Sequence, residues 1–297
     1  VSTAPALAQH LSRNAEVFDA VIGGDFFSEW PGVPALSAEL AEMLAAEEDY
    51  ERKLDLARRW NKEWHFRVGV HFLRGLTGAQ EAGTQYAQLA EAALRALWPE
   101  VLAHFAQKHG TAPGKGAAVI AMGSLGAGQL TSESDLDIIV IYDPDGAEMS
   151  EGRRPLATRP YYARLTQAMV TAVSAPMAEG RLYELDMRLR PSGNQGPVAT
   201  SWPAFKAYQL DEAWLWEHLA LVRARPVCGL ETLGAEFTAF RQALLAEKGQ
   251  DRERTCKGIA EMRGKIAAAK APNGPWDAKL GAGRLQEVEL LAQACTL

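Results

Sequence analysis

Cysteine is scarce here and scattered. Cys228, Cys256 and Cys295 are odd in number, far apart and outside any Cys-x-x-Cys or Cys/His spacing. That argues against structural zinc and fits a reducing, cytoplasmic setting. No apolar run approaches the roughly 20 residues of a membrane span. No basic-then-apolar signal pattern opens the chain. Positive charge is not in excess either: 31 Lys and Arg against 37 Asp and Glu leave a formal net charge of −6. A nucleic-acid partner normally calls for a basic excess, so neither nucleic acid nor membrane is expected. No Gly-Lys-Ser/Thr follows the glycine-rich turn at 123–128, which excludes a P-loop. The next strand comes too soon for a Rossmann crossover helix. Internal repeats and low-complexity tracts are missing. His65, His71, His104 and His109 share no metal spacing, so packing or solvent exposure is their expected role.

What is present is a cluster of acids where core packing wants none. Gly123-Ser124 is followed, after ten residues, by Asp135-Leu136-Asp137 and then Ile138-Ile139-Val140-Ile141-Tyr142. The Ile/Val run reads as a buried strand. Side chains at i and i+2 share a strand face, so Asp135 and Asp137 project together. A third acid, Asp186, falls in the alternating segment 182–190, which reads as another strand with Glu184, Asp186, Arg188 and Arg190 on one face. Neighbouring carboxylates repel, and a small hard cation satisfies them: Mg²⁺ binds through one or two carboxylates plus substrate phosphates. Guanidinium groups then suit phosphate oxygens.

Along the 297 residues, about two domains' worth, the pattern predicts three regions. Residues 1–110 read as helical, with Ser37 capping a helix over 38–48 and amphipathic helices over 50–74 and 84–98, the last stopping at Pro99 or continuing to Phe105. Residues 111–230 carry the strands at 117–122, 135–142 and 182–190, a helix over 161–178 and one helix over 203–222, with Arg223 and Arg225 at its end. Helices resume over 231–297. Val1 opens the chain and no stop signal follows the helical pattern at 285–294, so a fragment of a longer protein, truncated in its carboxy-terminal helical region, is expected.

Met122-Gly123-Ser124-Leu125-Gly126 with Ser134-Asp135-Leu136-Asp137 resembles the polymerase-β-like nucleotidyltransferases. Joined to Tyr183-Glu184-Leu185-Asp186-Met187-Arg188-Leu189-Arg190-Pro191-Ser192-Gly193 and Glu212-Ala213-Trp214-Leu215-Trp216-Glu217-His218, it is similar to the bacterial glutamine synthetase adenylyltransferase family, from Leu7-Ala8-Gln9 to Glu287-Val288-Glu289. The resemblance implies an α+β fold, a small mixed sheet with helices flanked by helical regions. It also implies AMP transfer from ATP to a tyrosine hydroxyl of glutamine synthetase, with a PII-type nitrogen-signalling protein as a further partner. The wording of the last two motifs is similar to the carboxy-terminal, adenylylating half of that family. Phosphorolytic removal of AMP and a non-catalytic nucleotide-binding module stay open as alternatives.

On that resemblance Asp135, Asp137 and Asp186 hold Mg²⁺ and are catalytic. Gly123, Ser124, Arg188 and Arg190 bind the nucleotide. The family commonly has Lys at the place of Ser124, Glu at that of Gln129, and Gly-Gly-Leu-Val-Asp-Ile-Glu where 283–289 stand. For Glu184 an ion pair with Arg188 or Arg190 is an equal expectation. For Arg223 and Arg225 ligand and structural roles are balanced. Trp214 and Trp216 are expected in the core, and Glu217 and His218 behind the site.

Overall fold

The computed structural model describes residues 25–269 and 271–297. The helical expectation for residues 1–24, and the start of the family resemblance at Leu7, lie outside the described residues. Three helices come first. α1 (Gly32–Ala45) buries Leu36, Leu40 and Leu44, a four-residue repeat that puts one apolar edge against its neighbour. It starts earlier than predicted: Pro34 stands in its first turn, and Ser37 is not the cap but lies inside, its hydroxyl donating to the Val33 carbonyl at 2.7 Å. α2 (Tyr50–Leu73) begins where the Asp49 carboxylate accepts the Arg52 amide at 2.9 Å. α3 (Ala79–His109) runs straight through Pro99. Proline removes one helical hydrogen bond, and the burial of Leu97, Trp98 and Val101 around it holds the helix together.

The sheet is mixed and five-stranded. β1 (Gly116–Ala121) and β2 (Leu136–Asp143) are antiparallel, Ala121 opposite Ile138. β3 (Leu185–Asp186) and β4 (Ala199–Ser201) both run parallel to β2, one after the other along its free edge. β5 (Arg225–Gly229) pairs antiparallel with the other edge of β1. Between the strands lie α4 (Gly123–Gly126), α5 (Thr158–Ser174), α6 (Trp202–Asp211) and α7 (Leu215–Leu221). α8 (Glu231–Lys248), α9 (Arg252–Ala269) and α10 (Leu285–Thr296) follow. No helix among the described residues is long and apolar enough to cross a membrane.

Alternation sorts the strand residues between two cores. Ala117, Val119, Leu136, Ile138 and Val140 face the side shared with α1, α2, α3 and α5. Ala118, Ile120, Ile139 and Ile141 face Trp202 and Phe205 of α6 and Leu233 and Phe237 of α8. The fold is therefore α+β, with a helical layer continuous with one sheet face.

Three expectations change. The strand over 182–190 shrinks to Leu185–Asp186, because the Asp186 carboxylate accepts the Arg188 amide at 2.8 Å and bends the chain. Arg188 and Arg190 therefore do not share a strand face with Asp186. The single helix over 203–222 is two, broken at Glu212-Ala213-Trp214, where Glu217 accepts the Trp214 amide at 2.9 Å and starts α7 afresh. Arg225 does not end a helix but opens β5.

Arg58 locks the helical layer to the rest. Fully buried, it donates to the carbonyls of Leu54 (2.8 Å), Ala172 (2.8 Å), Ala175 (2.9 Å) and Gly180 (2.9 Å). A cation thus closes the carboxy-terminal end of α5. Arg58→Leu would strip all four of these bonds, with Gly180 O keeping the Met177 amide at 2.9 Å, and is expected to cost about 3 kcal/mol or more, read as a fall in the urea midpoint.

Candidate active site

The site grows from the turn that ends β1. The Met122 amide donates to the Asp137 carbonyl at 2.8 Å, extending the β1–β2 ladder by one step. The chain then folds at Gly123 with φ +51°, and a Cβ at that position would stand 2.0 Å from Asp137 Oδ2. Only glycine allows the backbone and the carboxylate to approach so closely. Behind the turn, Arg225 donates from Nε to Gly126 O (3.2 Å), from Nη2 to Leu125 O (3.3 Å) and from Nη1 to Glu91 Oε2 (2.6 Å). Glu91 is buried in α3 and also accepts from Arg95 at 2.7 Å, while Arg95 reaches Val227 O at 2.9 Å. One buried carboxylate thus fixes two arginines, and they fix the turn and β5. Sequence reasoning passed over Glu91. The available signal was a single acid inside the apolar run Leu89-Ala90-Glu91-Ala92-Ala93-Leu94.

Asp135 and Asp137 continue the alternation of Ile139 and Ile141, and so extend the face covered by α6 and α8. Asp135 is exposed just before β2, and Asp137 is half-buried. Asp186 sits directly opposite Asp137 in the parallel β2–β3 register, with the Leu136 amide donating to Glu184 O at 2.9 Å. Paired residues on adjacent strands point to the same face. Burial pushes the Asp137 carboxyl up to about 6, helped by the charges of Asp135 and Asp186 and opposed by Arg188 and Arg223. Asp186 moves the other way. Hydrogen bonds from Arg188, chiefly Nε to Oδ2 at 2.7 Å, hold it below the usual carboxylate range.

Among the described residues, no three Asp, Glu, His or Cys side chains stand preassembled as a cation cage. Asp186 is turned onto Arg188, and a guanidinium supplies its counter-charge. The donor chemistry nevertheless fits Mg²⁺. These are hard oxygens, and Asp137 is raised first by burial and then by the charges of Asp135 and Asp186, the imbalance a small dication relieves.

The remaining predicted residues divide. Ser124 is half-buried, second in the single turn α4. Arg190 is buried, donating from Nε to Gly196 O (3.2 Å) and from Nη1 to Met187 O (2.8 Å), which fastens the 191–197 loop. Glu184 pairs with Arg181 rather than with Arg188 or Arg190. Gln129 donates to Thr84 Oγ1 of α3 at 2.7 Å. Arg223 lies in the turn after α7, 3.4 Å from Glu289 Oε1 of α10, with its charge acting on Asp137. Glu217 is buried and accepts from the Tyr208 hydroxyl (2.8 Å) as well as from Trp214, and Tyr208 in turn touches Ser192. The two motifs flanking β4 are therefore tied to each other. His218 is buried with Nε2 3.0 Å from Gln209 O. Trp214 and Trp216 are not core residues: they stand 65% and 38% exposed, because the break before α7 turns them outward.

Known proteins match this chain closely. The family model described as glutamate-ammonia ligase adenylyltransferase matches residues 1–240. Proteins named bifunctional glutamine synthetase adenylyltransferase/adenylyl-removing enzyme are similar over all or nearly all of the chain. The one from Brucella suis is 43% identical over 298 residues, covering 100% of this chain and 30% of its own length. That from Xanthobacter autotrophicus is 42% identical over 301 residues, again 100% and 30%. That from Bradyrhizobium diazoefficiens is 37% identical over 294 residues, 99% and 29%. The chain thus spans about 30% of the length of the curated relatives it matches. A family model matched over residues 1–240 and relatives 43% identical across its whole length place the chain in the glutamate-ammonia ligase adenylyltransferase family.

Proposed function

We propose that this chain carries a polymerase-β-like nucleotidyl-transfer centre that moves AMP from ATP to a tyrosine hydroxyl of glutamine synthetase. The observation that carries it is Asp137 wedged against Gly123 and in register with Asp186. The tyrosine oxygen attacks the α-phosphorus as its proton passes, by way of Asp186, to solvent. The bond from that phosphorus to the bridging oxygen breaks, and pyrophosphate leaves with the oxygen. Mg²⁺ held by Asp135, Asp137 and Asp186 would supply charge stabilisation for the attacking and leaving oxygens.

The chain's own residues do the rest. Backbone amides at Gly123 and the Ser124 hydroxyl face the triphosphate, and positioning of this kind accounts for most of the rate in phosphoryl and nucleotidyl transfer. Arg188, exposed on its turn, neutralises phosphate oxygens. Arg223 adds a second positive charge beside Asp137. Arg190 acts through the loop it braces, and its charge adds to the Arg188 hydrogen bonds that hold Asp186 low. On this reading residues 111–230 are the transferase domain, residues 25–110 the helical layer behind it, and the helices after residue 230 a further helical region. A cytoplasmic setting and a PII-type regulator complete the reading that the family resemblance implies.

The adenylylating direction is favoured by the wording of Arg190-Pro191-Ser192-Gly193 and of 212–218. Transfer of label from α-³²P-ATP to unmodified glutamine synthetase, lost when Mg²⁺ is chelated, is the expected result. Release of AMP from the modified enzyme, without forward transfer, would assign the reverse activity instead. Asp137→Asn is expected to lower transfer about a thousand-fold or more while the fold is kept.

The same variant tests the charge argument. Asp137 ionises less readily in the folded chain (about 6) than at its ordinary 3.8. Both states are protonated below about 3.8, so there is no penalty there. As pH rises towards 6 the unfolded chain releases its proton first, and folding loses stability that it does not regain above 6. Without Mg²⁺, Asp137→Asn should therefore raise the melting temperature at pH 7, and the gain should vanish near pH 3.5. Gly123→Ala, forced into a positive φ and onto Asp137, should lower both the melting temperature and the transfer rate.

A further inference from the structure

A second concavity adjoins the carboxylates. It lies between α2 and the segments 132–135 and 181–184, holds about 690 Å³, and has Asp135 in its wall. His65, Phe66, Phe72, Leu73 and Tyr86 make its apolar side. Phe72 and Leu73 close α2 at 46% and 52% exposure, and Leu76 follows at 53%. Three large apolar side chains side by side at a helix end, beside a cleft, are the mark of a surface that meets a partner. His65 packs on Tyr86 with ring centroids 4.5 Å apart, and its ring nitrogens have no hydrogen-bond partner among the described residues. Burial pushes its pKa down to about 4, so the ring is neutral at working pH.

Charge narrows the occupant. The cleft has two cations in its lining, and both are already answered: Lys62 by Glu179 at 3.1 Å and Arg181 by Glu184. Glu133 and Asp135 line it too, with no ion pair within the lining; the charge that reaches Asp135, that of Arg188, lies outside it. A triphosphate would meet net negative charge here. The cations that act on the carboxylates, Arg188 and Arg223, are not in this lining. The nucleotide's phosphates therefore belong on the Gly123 side of Asp137, and the aromatic cleft is left for the other reactant.

We infer that this cleft seats the protein acceptor: an extended, apolar-rich polypeptide segment whose side chains lie on Phe72, Leu73 and Tyr86 and whose hydroxyl reaches the carboxylates past Asp135. The inference rests on the transferase reading and adds the side from which the acceptor arrives. His65 offers that segment one neutral hydrogen-bonding group in an otherwise greasy wall, a common way for an apolar pocket to fix orientation.

Two measurements on the full chain test it. Leu73→Glu changes a half-exposed side chain at a helix end, so the fold, checked by thermal melting, is expected to survive. The KM for unmodified glutamine synthetase should rise about ten-fold, the scale of one lost interface anchor, while the KM for ATP stays within about two-fold. An unchanged acceptor KM overturns the inference, and so does a shift that falls on ATP instead, which would put the adenine in the cleft. In the second measurement, benzoylphenylalanine replaces Leu73 and the chain is irradiated with purified glutamine synthetase. A cross-link to glutamine synthetase supports the inference. A cross-link only within the chain, to residues 1–24 for example, overturns it. The cross-link needs no turnover, so a chain that transfers no AMP but still cross-links would sink the transferase reading and leave the docking surface standing.

Discussion

The structure turns on one close approach, the backbone of Gly123 against the carboxylate of Asp137. A half-buried acid at the head of a strand is unfavourable for stability, and the glycine beside it loses more backbone entropy on folding than any other residue. They are tolerated together because everything around them is over-determined. The β1–β2 ladder fixes Asp137 from the strand side. Arg225 and the buried Glu91 fix the turn from behind, through bonds to the two carbonyls that end α4. A buried charge kept in place by its surroundings in this way is what functional sites show.

The two cores divide the labour. The face shared with α1, α2, α3 and α5 is closed along the whole length of β2. The face under α6 and α8 is closed only as far as Ile139. Beyond it the same alternation brings Asp137 and then Asp135, past the cover of α6 and α8. The site is thus the uncovered end of an otherwise apolar strand face. Its polar supports, Glu91 in α3 and Glu217 in α7, lie in helices outside the sheet and reach in through arginine and tyrosine.

Much of this was legible in the residues. β1 and β2 declare themselves by Ile/Val runs, the period-2 rule puts Asp135 and Asp137 on one face, and α2 is bounded within a residue by its amphipathic pattern. What could not be read depends on particular side-chain hydrogen bonds, two of them local and one between distant segments. The alternation at 182–190 is that of a strand, yet the Asp186 carboxylate captures the Arg188 amide and ends it after two residues. The break at 212–214 is enforced by Glu217, a residue within the predicted helix. Arg225 reads equally as a helix end or a ligand until Glu91, 134 positions earlier, is placed beside it. Trp214 and Trp216 follow composition statistics into the core, but the local break turns them outward.

Arg188 and Asp186 stand two positions apart on one bend, so bringing them together costs little chain entropy. The resting pocket carries its own counter-ion, built in and always within reach. The Arg188 amide takes one carboxylate oxygen of Asp186 and the guanidinium the other, so both are spoken for within three residues. On the proposed reading, a cation entering here would have to outbid that guanidinium, and the displaced arginine would then be at hand for an incoming anion. The two-residue bend would thus couple the arrival of positive charge to the release of an anion-binding group.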